Sequence, residues 1–108
     1  MIEKDFAKPI ILGFSKALVL WLLRIRPRSG YELMSEIQRL TGIALGPGLI
    51  YPLLHMLEKG DYIAGKWIVK AGRKVKRYSI TRKGEALLNK VRDIFRFPIK
   101  EMFLDLLK

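Results

Sequence analysis

The sequence lacks cysteine and contains a single histidine, His55. Disulfide bonds and thiolate metal sites are therefore excluded, and we expect neither a metal site nor any other cofactor. Acidic residues are scarce, 10 against 21 lysines and arginines, and they form no cluster of carboxylates. Because the chain also has no nucleophile–base pair and no phosphate-binding loop, we predict that it is not an enzyme.

A membrane-spanning segment is also missing from the pattern. The stretch from Ile10 to Leu23 is apolar, but Gly13, Ser15 and Lys16 interrupt it, and it is too short to cross a bilayer. The first residues include acids and are followed by no small-residue cleavage motif, so they do not resemble a signal peptide. We therefore expect a cytoplasmic protein with no membrane partner.

Positive charge is what the chain has in excess. Its formal net charge is +11 and its isoelectric point is near 10.2, values that favour a polyanionic partner, with nucleic acid ahead of an anionic membrane surface. The segment from Lys66 to Lys83 holds 8 basic residues and no acid. Charge concentrated in this way favours a docking surface over general solubility.

The 108 residues, of which 50% are hydrophobic, predict one small folded unit with the order helix, helix, helix, hairpin, helix. We expect an N-terminal extension over residues 1–13, a winged helix-turn-helix over 14–81 and a C-terminal dimerisation helix over 82–108. Residues 1–8 are polar, and Pro9 is expected to open the first helix, which ends near Ile25 because Arg26 precedes a proline. The fold class is thus mainly α with a small β-hairpin.

The second and third helices form the predicted helix-turn-helix. Ser29 and Glu32 have the spacing of a capping box at the start of the second helix, and Gly42 suits the position just after its end. The third helix is predicted from about Gly48 to Lys59. This start places Pro52 in the first turn, where a proline costs at most one hydrogen bond.

The third helix has two different faces. Its apolar stripe is formed by Ile50, Leu53, Leu54 and Leu57. Its opposite face carries Gly48, Tyr51, Pro52, His55 and Lys59. That face has hydrogen-bonding groups and a positive charge but no carboxylate, with Glu58 at its flank, so it suits the major groove of DNA. An ordinary surface helix has the same pattern, and the helix alone does not separate the two interpretations.

β-Branched and aromatic runs after Asp61 predict a hairpin with a basic tip, in which Gly72 supplies the bend between Lys70 and Lys74. We expect the basic side chains of this hairpin to bind DNA phosphates, and we assign Arg73 to the backbone or the minor groove. Strand alternation sends these side chains to both faces, so not all of them can contact one duplex. A solvated run of charges is the alternative interpretation.

The chain resembles the PadR family of transcriptional regulators. The resemblance covers about residues 17–88 and rests on four stretches: Gly30–Leu33, Pro47–Glu58 with its Tyr51–Pro52 pair, Gly60 with Ile63, and Gly72–Gly84 with Arg73, Lys76, Tyr78 and Thr81. It implies a dimeric winged-helix repressor joined through the C-terminal helix, with Tyr31 on a phosphate. The chain departs from the family pattern at Gly46 and Leu49, where a hydroxyl is usual, and at Lys74 and Val75, where the wing usually reads Pro-Arg.

The predicted DNA-binding residues are Tyr31, Gly48, Leu49, Tyr51, Pro52, His55, Lys59, Lys70, Arg73, Lys74, Lys76 and Arg77. The face of the third helix has no arginine, asparagine or glutamine, so strong bidentate reading of bases is expected to be sparse. We therefore expect DNA shape and half-site spacing to supply much of the specificity.

The last helix holds more apolar residues than a terminal helix can bury against one small domain, and Pro98 is expected to kink or split it. The predicted dimerisation residues are Leu88, Val91, Ile94, Phe95, Met102, Phe103 and Leu106. An amphipathic helix on a membrane surface is the competing interpretation, because lysines and arginines are interleaved with the apolar residues. A small hydrophobic effector could also bind at the dimer interface, lined by Trp21, Phe95, Phe97 and Phe103.

Together these patterns predict a homodimeric, sequence-specific regulator that binds double-stranded DNA as a repressor. The third helix would enter the major groove, and the wing would lie on the adjacent backbone. Winged helices also serve other purposes. The alternatives are therefore non-specific or architectural nucleic-acid binding and a protein-interaction module.

Overall fold

The computed structural model of the chain describes the backbone of residues 2–108 and the side chains of residue 10 and residues 13–108. The elements in chain order are α1 (Ile2–Ile25), β1 (Arg28–Ser29), α2 (Gly30–Thr41), α3 (Pro47–Lys59), β2 (Ile63–Lys70), β3 (Arg73–Ile80), α4 (Arg82–Ile94) and α5 (Lys100–Leu106). The segment Phe95–Ile99, which is kinked at Phe97, connects α4 to α5. The predicted fold, mainly α with a small β-structure after the third helix, is confirmed.

Helix α1 begins at Ile2, so the prediction that Pro9 opens it was wrong, whereas its end at Ile25 agrees with the sequence. A proline inside a helix removes one hydrogen bond, a loss that the remaining bonds of a 24-residue helix outweigh here. The expected boundary between an extension over residues 1–13 and the domain falls inside this helix and stays a prediction. The side chains of residues 1–9, 11 and 12 lie outside the described residues.

The core is formed where α1, α2 and α3 pack against one end of the sheet. The apolar stripe predicted for α3 is buried: Ile50 and Leu54 are 0% exposed, Leu57 3% and Leu53 8%. Val19 and Leu20 of α1 and Leu33 and Ile37 of α2 meet this stripe in the same cluster. Each fully buried leucine or isoleucine stabilises the fold by roughly 1.5–3 kcal/mol. Packing of the apolar stripe therefore turns the polar face of α3 outward.

The capping signals of α2 are confirmed. The Ser29 hydroxyl accepts the Glu32 N–H at 3.1 Å, and the Glu32 carboxylate accepts the Ser29 N–H at 3.0 Å. The second of these bonds is the main cause that lowers the pKa of Glu32, against an opposing effect of burial. Gly42 ends the helix with a φ of 73° and donates its N–H to the Gln38 carbonyl at 2.8 Å. The start of α2 is thus fixed where β1 enters the sheet.

The sheet has three antiparallel strands in the order β1-β3-β2, so the predicted two-stranded hairpin was incomplete. The added strand is two residues long, with Arg28 opposite Tyr78 and Ser29 opposite Arg77. Arg28 is 6% exposed, and its Nε donates a hydrogen bond of 3.2 Å to the Leu22 carbonyl in α1. A buried arginine that caps a neighbouring helix therefore ties the sheet to α1.

The hairpin turn is tighter than the sequence indicated. The predicted bend spanned Lys70 to Lys74, but Lys70 and Arg73 already pair as strand residues. Only Ala71 and Gly72 form the turn, with φ of 52° and 76°. Two positive φ values in a two-residue turn match the twist of the flanking strands. The wing therefore keeps its strand pairing to the tip.

The base of the wing is fastened to the start of α4. The Thr81 side chain accepts the Gly84 N–H at 3.1 Å and donates to the Asp61 carbonyl at 2.6 Å. A Cβ at Gly84 would lie 2.1 Å from the Tyr62 carbonyl oxygen, so this close approach requires glycine. The side chain of Thr81 therefore caps the first turn of α4.

The C-terminal helix is broken, as the sequence predicted from Pro98. Phe97, in the segment between α4 and α5, has φ −150° and ψ 135°, an extended conformation that breaks the helical path. The helical pattern that the sequence assigned to one element is therefore carried by two. Among the described residues, none of the helices combines the length and the apolar character that a membrane crossing needs.

Candidate nucleic-acid interface

The outward face of α3 carries the polar residues that the sequence assigned to it. Tyr51 is 45% exposed, and Pro52, His55 and Lys59 are exposed as well. The helix begins at Pro47, one residue before the predicted start, so Pro52 lies in the second turn instead of the first. Gly46 occupies the N-cap and offers no side-chain hydrogen bond, which matches the missing hydroxyl noted in the sequence. The first backbone N–H groups of α3 therefore have no side-chain hydrogen-bond acceptor at the N-cap.

Tyr51 lies across the start of α2. A Cβ at Gly30 would be 2.6 Å from Tyr51 Cε1 and 2.9 Å from its hydroxyl oxygen, so the ring occupies the space that a side chain at residue 30 would need. Tyr31 follows immediately and is 73% exposed. The two tyrosines are thus brought to the N-terminus of α2, where backbone amides favour an anion.

A groove runs between this site and the hairpin, which we call the wing groove. It has a volume of about 750 Å³. Seven of the predicted DNA-binding residues line it: Tyr31, Tyr51, Lys70, Arg73, Lys74, Lys76 and Arg77. Glu32 is its acidic member, and Lys70 is close enough to contribute to the lowered pKa of that carboxyl. The wing groove therefore brings the two tyrosines close to basic residues from both faces of the hairpin.

The remaining predicted residues, Gly48, Leu49, Pro52, His55 and Lys59, do not line the wing groove and lie on α3 itself. Leu49 is half-buried and packs against the core. Gly48, Pro52, His55 and Lys59 are exposed. They form a second, outward-facing surface next to the wing groove.

The register of the hairpin sorts the wing charges by face. Lys70 stands opposite Arg73, and Lys66 stands opposite Arg77, so these four share one face of the two strands. The other face pairs Trp67 with Lys76 and Val69 with Lys74. The expectation that strand alternation divides the charges between two faces is confirmed.

Lys76 differs from the other wing cations because it is already paired. Its Nζ lies 2.8 Å from Glu58 Oε1 on α3, and this hydrogen bond raises the pKa of Lys76. The same Nζ lies 5.4 Å from the ring centre of Tyr78, whose own pKa is raised by burial. The wing is therefore joined to α3 by an ion pair near its middle.

Sequence reasoning missed two contributors to this surface. Trp67 lines the wing groove and is 65% exposed, although it was not among the residues predicted to bind DNA. Its position among basic residues was a usable signal, because aromatic side chains next to lysines are common in nucleic-acid interfaces. Glu58 was noted only at the flank of α3, and its partner is 18 residues away in the chain.

The predicted dimerisation residues divide into two groups. Leu88 is 8% exposed within the core of its own chain, and Val91, Phe95 and Phe103 line an apolar groove of about 700 Å³ between α1 and the C-terminal helices. Trp21 also lines this apolar groove, whereas Phe97 is not part of it and is 74% exposed. Ile94, Met102 and Leu106 are 59%, 57% and 72% exposed. The second group therefore leaves apolar surface uncovered in the single chain.

Comparison with known proteins gives a consistent result. The sequence profile described as the "Transcriptional regulator PadR-like family" matches residues 19–90. No curated protein gives a significant sequence match. A PadR-like transcriptional regulator from Bacillus cereus is 26% identical with a TM-score of 0.81, over 93% of this chain and 97% of that one. A PadR family transcriptional regulator from Eggerthella lenta is 27% identical with a TM-score of 0.76, over 100% and 97%.

One similar structure was solved with nucleic acid. Bacillus subtilis PadR in complex with operator DNA is 27% identical to this chain, with a TM-score of 0.64. The similarity covers 69% of this chain and 44% of that protein.

Proposed function

The chain belongs to the PadR-like family of transcriptional regulators, which are not enzymes, and from this membership we propose that it is a dimeric repressor that binds a specific double-stranded operator. The observation that carries the proposal is the wing groove, in which Tyr31, Tyr51 and the basic wing residues meet beside the outward face of α3. The operator complex of Bacillus subtilis PadR supports the same assignment.

In the proposed complex α3 lies in the major groove. Its outward face offers the hydroxyl of Tyr51 and the side chains of His55 and Lys59, which are suited to base edges and to the backbone. Tyr31 and the first amides of α2 hold a phosphate. The wing tip, with Arg73 at its end, lies on the adjacent backbone or in the minor groove.

Specificity in this proposal comes from shape as well as from base contacts. The exposed residues of α3 include neither arginine nor an amide side chain, so bidentate reading of bases by this helix is sparse and falls to Lys59. Phosphate contacts from the wing add affinity and register without reading sequence. The deformability of the operator and the spacing of its half-sites then supply much of the discrimination.

The proposed dimer is joined through α4 and α5. Ile94, Met102 and Leu106 expose apolar surface, which a second copy of the chain would cover. Leu88 is not part of this proposal, because it is buried in its own core. Two copies related by a two-fold axis would present two α3 helices to the half-sites of a pseudo-palindromic operator. A site of DNA binding also implies a cytoplasmic location.

Fluorescence anisotropy with duplex DNA from upstream of the gene tests the proposed function. We expect the native duplex to bind on the order of 10³-fold more tightly than a shuffled duplex of the same composition. The titration is made at about 0.15 M salt and again at a lower concentration, since the affinity depends steeply on salt. Equal binding of both duplexes would favour a non-specific or architectural role, and no binding at either salt would favour a protein-interaction module.

We further propose that the apolar groove takes a small hydrophobic effector at the dimer interface. Its volume of about 700 Å³ is in the range of small-molecule sites, and Trp21, Phe95 and Phe103 line it. Because Trp21 lies in the groove, a bound ligand is expected to change its fluorescence, measured in a Trp67→Phe background. Fluorescence that stays constant across a broad panel of hydrophobic ligands would contradict this part of the proposal.

A further inference from the structure

Glu58 is the acidic residue of α3, and its carboxylate is bonded to both strands of the wing. Oε1 accepts a hydrogen bond of 2.8 Å from Lys76 Nζ on β3. Oε2 accepts a hydrogen bond of 3.2 Å from the Gly65 N–H on β2. Both side chains of the ion pair are partly buried, with 30% exposure for Glu58 and 28% for Lys76. These two bonds connect the helix proposed to read the operator with the wing proposed to bind its backbone.

The pair depends on the absence of a side chain at residue 65. A Cβ built on Gly65 would lie 2.3 Å from Lys76 Cε and 2.8 Å from Glu58 Oε2. The lysine stem therefore crosses β2 where the glycine leaves room, and its Nζ ends 5.9 Å from the Trp67 ring centre. The ion pair between Glu58 and Lys76 therefore fits only because residue 65 has no side chain.

A lysine held in this way is poorly placed to neutralise a phosphate. Its charge is already compensated by Glu58, and moving to a phosphate would leave that carboxylate facing the DNA without a partner. Lys70, Arg73 and Lys74 at the wing tip are exposed and have no ion pair among the described side chains. The tip cations are therefore free to bind phosphates in a way that Lys76 is not.

We propose that Glu58, Gly65 and Lys76 form a latch that fixes the angle of the wing to α3, and that Lys76 is a positioning residue for operator binding and not a phosphate contact. This inference rests on the proposed function. It replaces the sequence expectation that Lys76 belongs to the DNA-contacting set. Because the proposed contacts of α3 and of the wing tip lie on different parts of the duplex, the angle between them determines whether both can contact one duplex.

Glu58→Met distinguishes the latch from simple electrostatics, because the two predict opposite changes in the affinity for DNA. Removing this acid raises the net charge from +11 to +12, which by charge alone would tighten DNA binding. The latch predicts instead that affinity for the operator falls by about 5- to 10-fold. Glu36→Met is the matched control, since it makes the same charge change and breaks the ion pair of Glu36 with Arg39 within α2. The control is expected to bind as the wild type does or slightly more tightly.

Two further single variants, which keep Glu58, and one double variant test the same arrangement. Gly65→Ala leaves the net charge unchanged and is expected to lower affinity as Glu58→Met does. Lys76→Met is expected to lower affinity while the slope of log K against log salt stays that of the wild type, whereas a lost phosphate contact would reduce the slope by about 0.9. The double variant Glu58→Met, Lys76→Met is expected to bind no more weakly than the weaker single variant, because both changes open one latch.

Amide hydrogen exchange tests the latch without DNA. In the wild type the Gly65 N–H is bonded to Glu58, so its exchange is expected to accelerate at least 10-fold in Glu58→Met while the amides of α1 stay protected. Unchanged exchange at Gly65 overturns the latch. The latch is also overturned if Glu58→Met binds the operator more tightly than the wild type, or if the double variant loses as much affinity as the two single variants added together. A wild-type protein that does not distinguish its operator from a shuffled duplex overturns the proposed function instead, and the exchange result still judges the latch.

Discussion

A chain carrying Ile94→Glu and Met102→Glu is expected to be monomeric and to bind its operator on the order of 10³-fold more weakly than the wild-type protein. Both side chains are largely exposed in the single chain, at 59% and 57%, so the substitutions remove no packing from the core of the protomer. In a dimer joined through α4 and α5 the same positions are covered. A carboxylate without a partner is then costly to bury, and the dimer dissociates.

The loss of affinity follows from losing the second half-site. When two α3 helices are held in one dimer, binding of the first raises the effective concentration of the second, a gain of about 10²–10⁴ over a single module. A monomer keeps its contacts with one half-site and loses this gain. Size-exclusion chromatography with light scattering measures the mass against the 12.5 kDa of one chain, and anisotropy measures the affinity.

Ile94→Leu with Met102→Leu is the control, because it keeps both positions apolar and should leave mass and affinity unchanged. Circular dichroism of the glutamate variant should match that of the wild type, since neither residue contributes to the core. A glutamate variant that remains dimeric would place the interface elsewhere on the chain. A wild-type protein that is monomeric at the concentrations where it binds the operator would contradict the dimeric repressor itself.

Features that depend on neighbouring residues were predictable from the sequence. The capping box at Ser29 and Glu32 and the apolar stripe of α3 are encoded within a few residues of each other, and both are present in the structure. The break at Phe97 follows the rule that the residue before a proline avoids the helical conformation. Local sterics and periodicity act before tertiary contacts do, so these signals are readable in one sequence.

Features that depend on distant residues were not predictable. The strand β1 has only two residues and no periodicity of its own, and it exists because Tyr78 and Arg77 offer it a partner. The ion pair of Glu58 with Lys76 joins residues 18 positions apart, and its geometry depends on the missing side chain of Gly65. The sequence therefore reveals the charges of the candidate site but not which of them is already paired within the protein.

The start of α1 was missed for a different reason. Proline at the first position of a helix is common, so Pro9 was interpreted as a beginning. The structure continues the helix back to Ile2. The preference of Pro9 for the first position of a helix stabilises less than the hydrogen bonds of the helical turns on either side of it.

A chain carrying Lys70→Gln, Arg73→Gln and Lys74→Gln is expected to bind its operator on the order of 100-fold more weakly at about 0.15 M salt. Each phosphate contact contributes about 0.9 to the slope of log K against log salt, so the loss of Lys70 and Arg73, which share one face of the hairpin, lowers the slope by about 1.8. The three side chains lie at the wing tip and are exposed; Lys70 stands opposite Arg73 across the Ala71–Gly72 turn, and Lys74 stands opposite Val69. Their replacement therefore leaves the core and the latch residues in place.

The control removes the same charge from another part of the molecule. Lys16, Lys90 and Lys108 are exposed on α1, on α4 and at the C-terminus, and changing them to glutamine also lowers the net charge from +11 to +8. Charges farther from the DNA than the screening length of about 8 Å contribute little, so we expect a change of less than about 3-fold and an unaltered salt slope. If both triple variants lose affinity equally, the basic excess acts as a general attraction and the wing does not touch the backbone. If the wing variant alone loses both affinity and slope, the phosphate contacts belong to the tip of the wing.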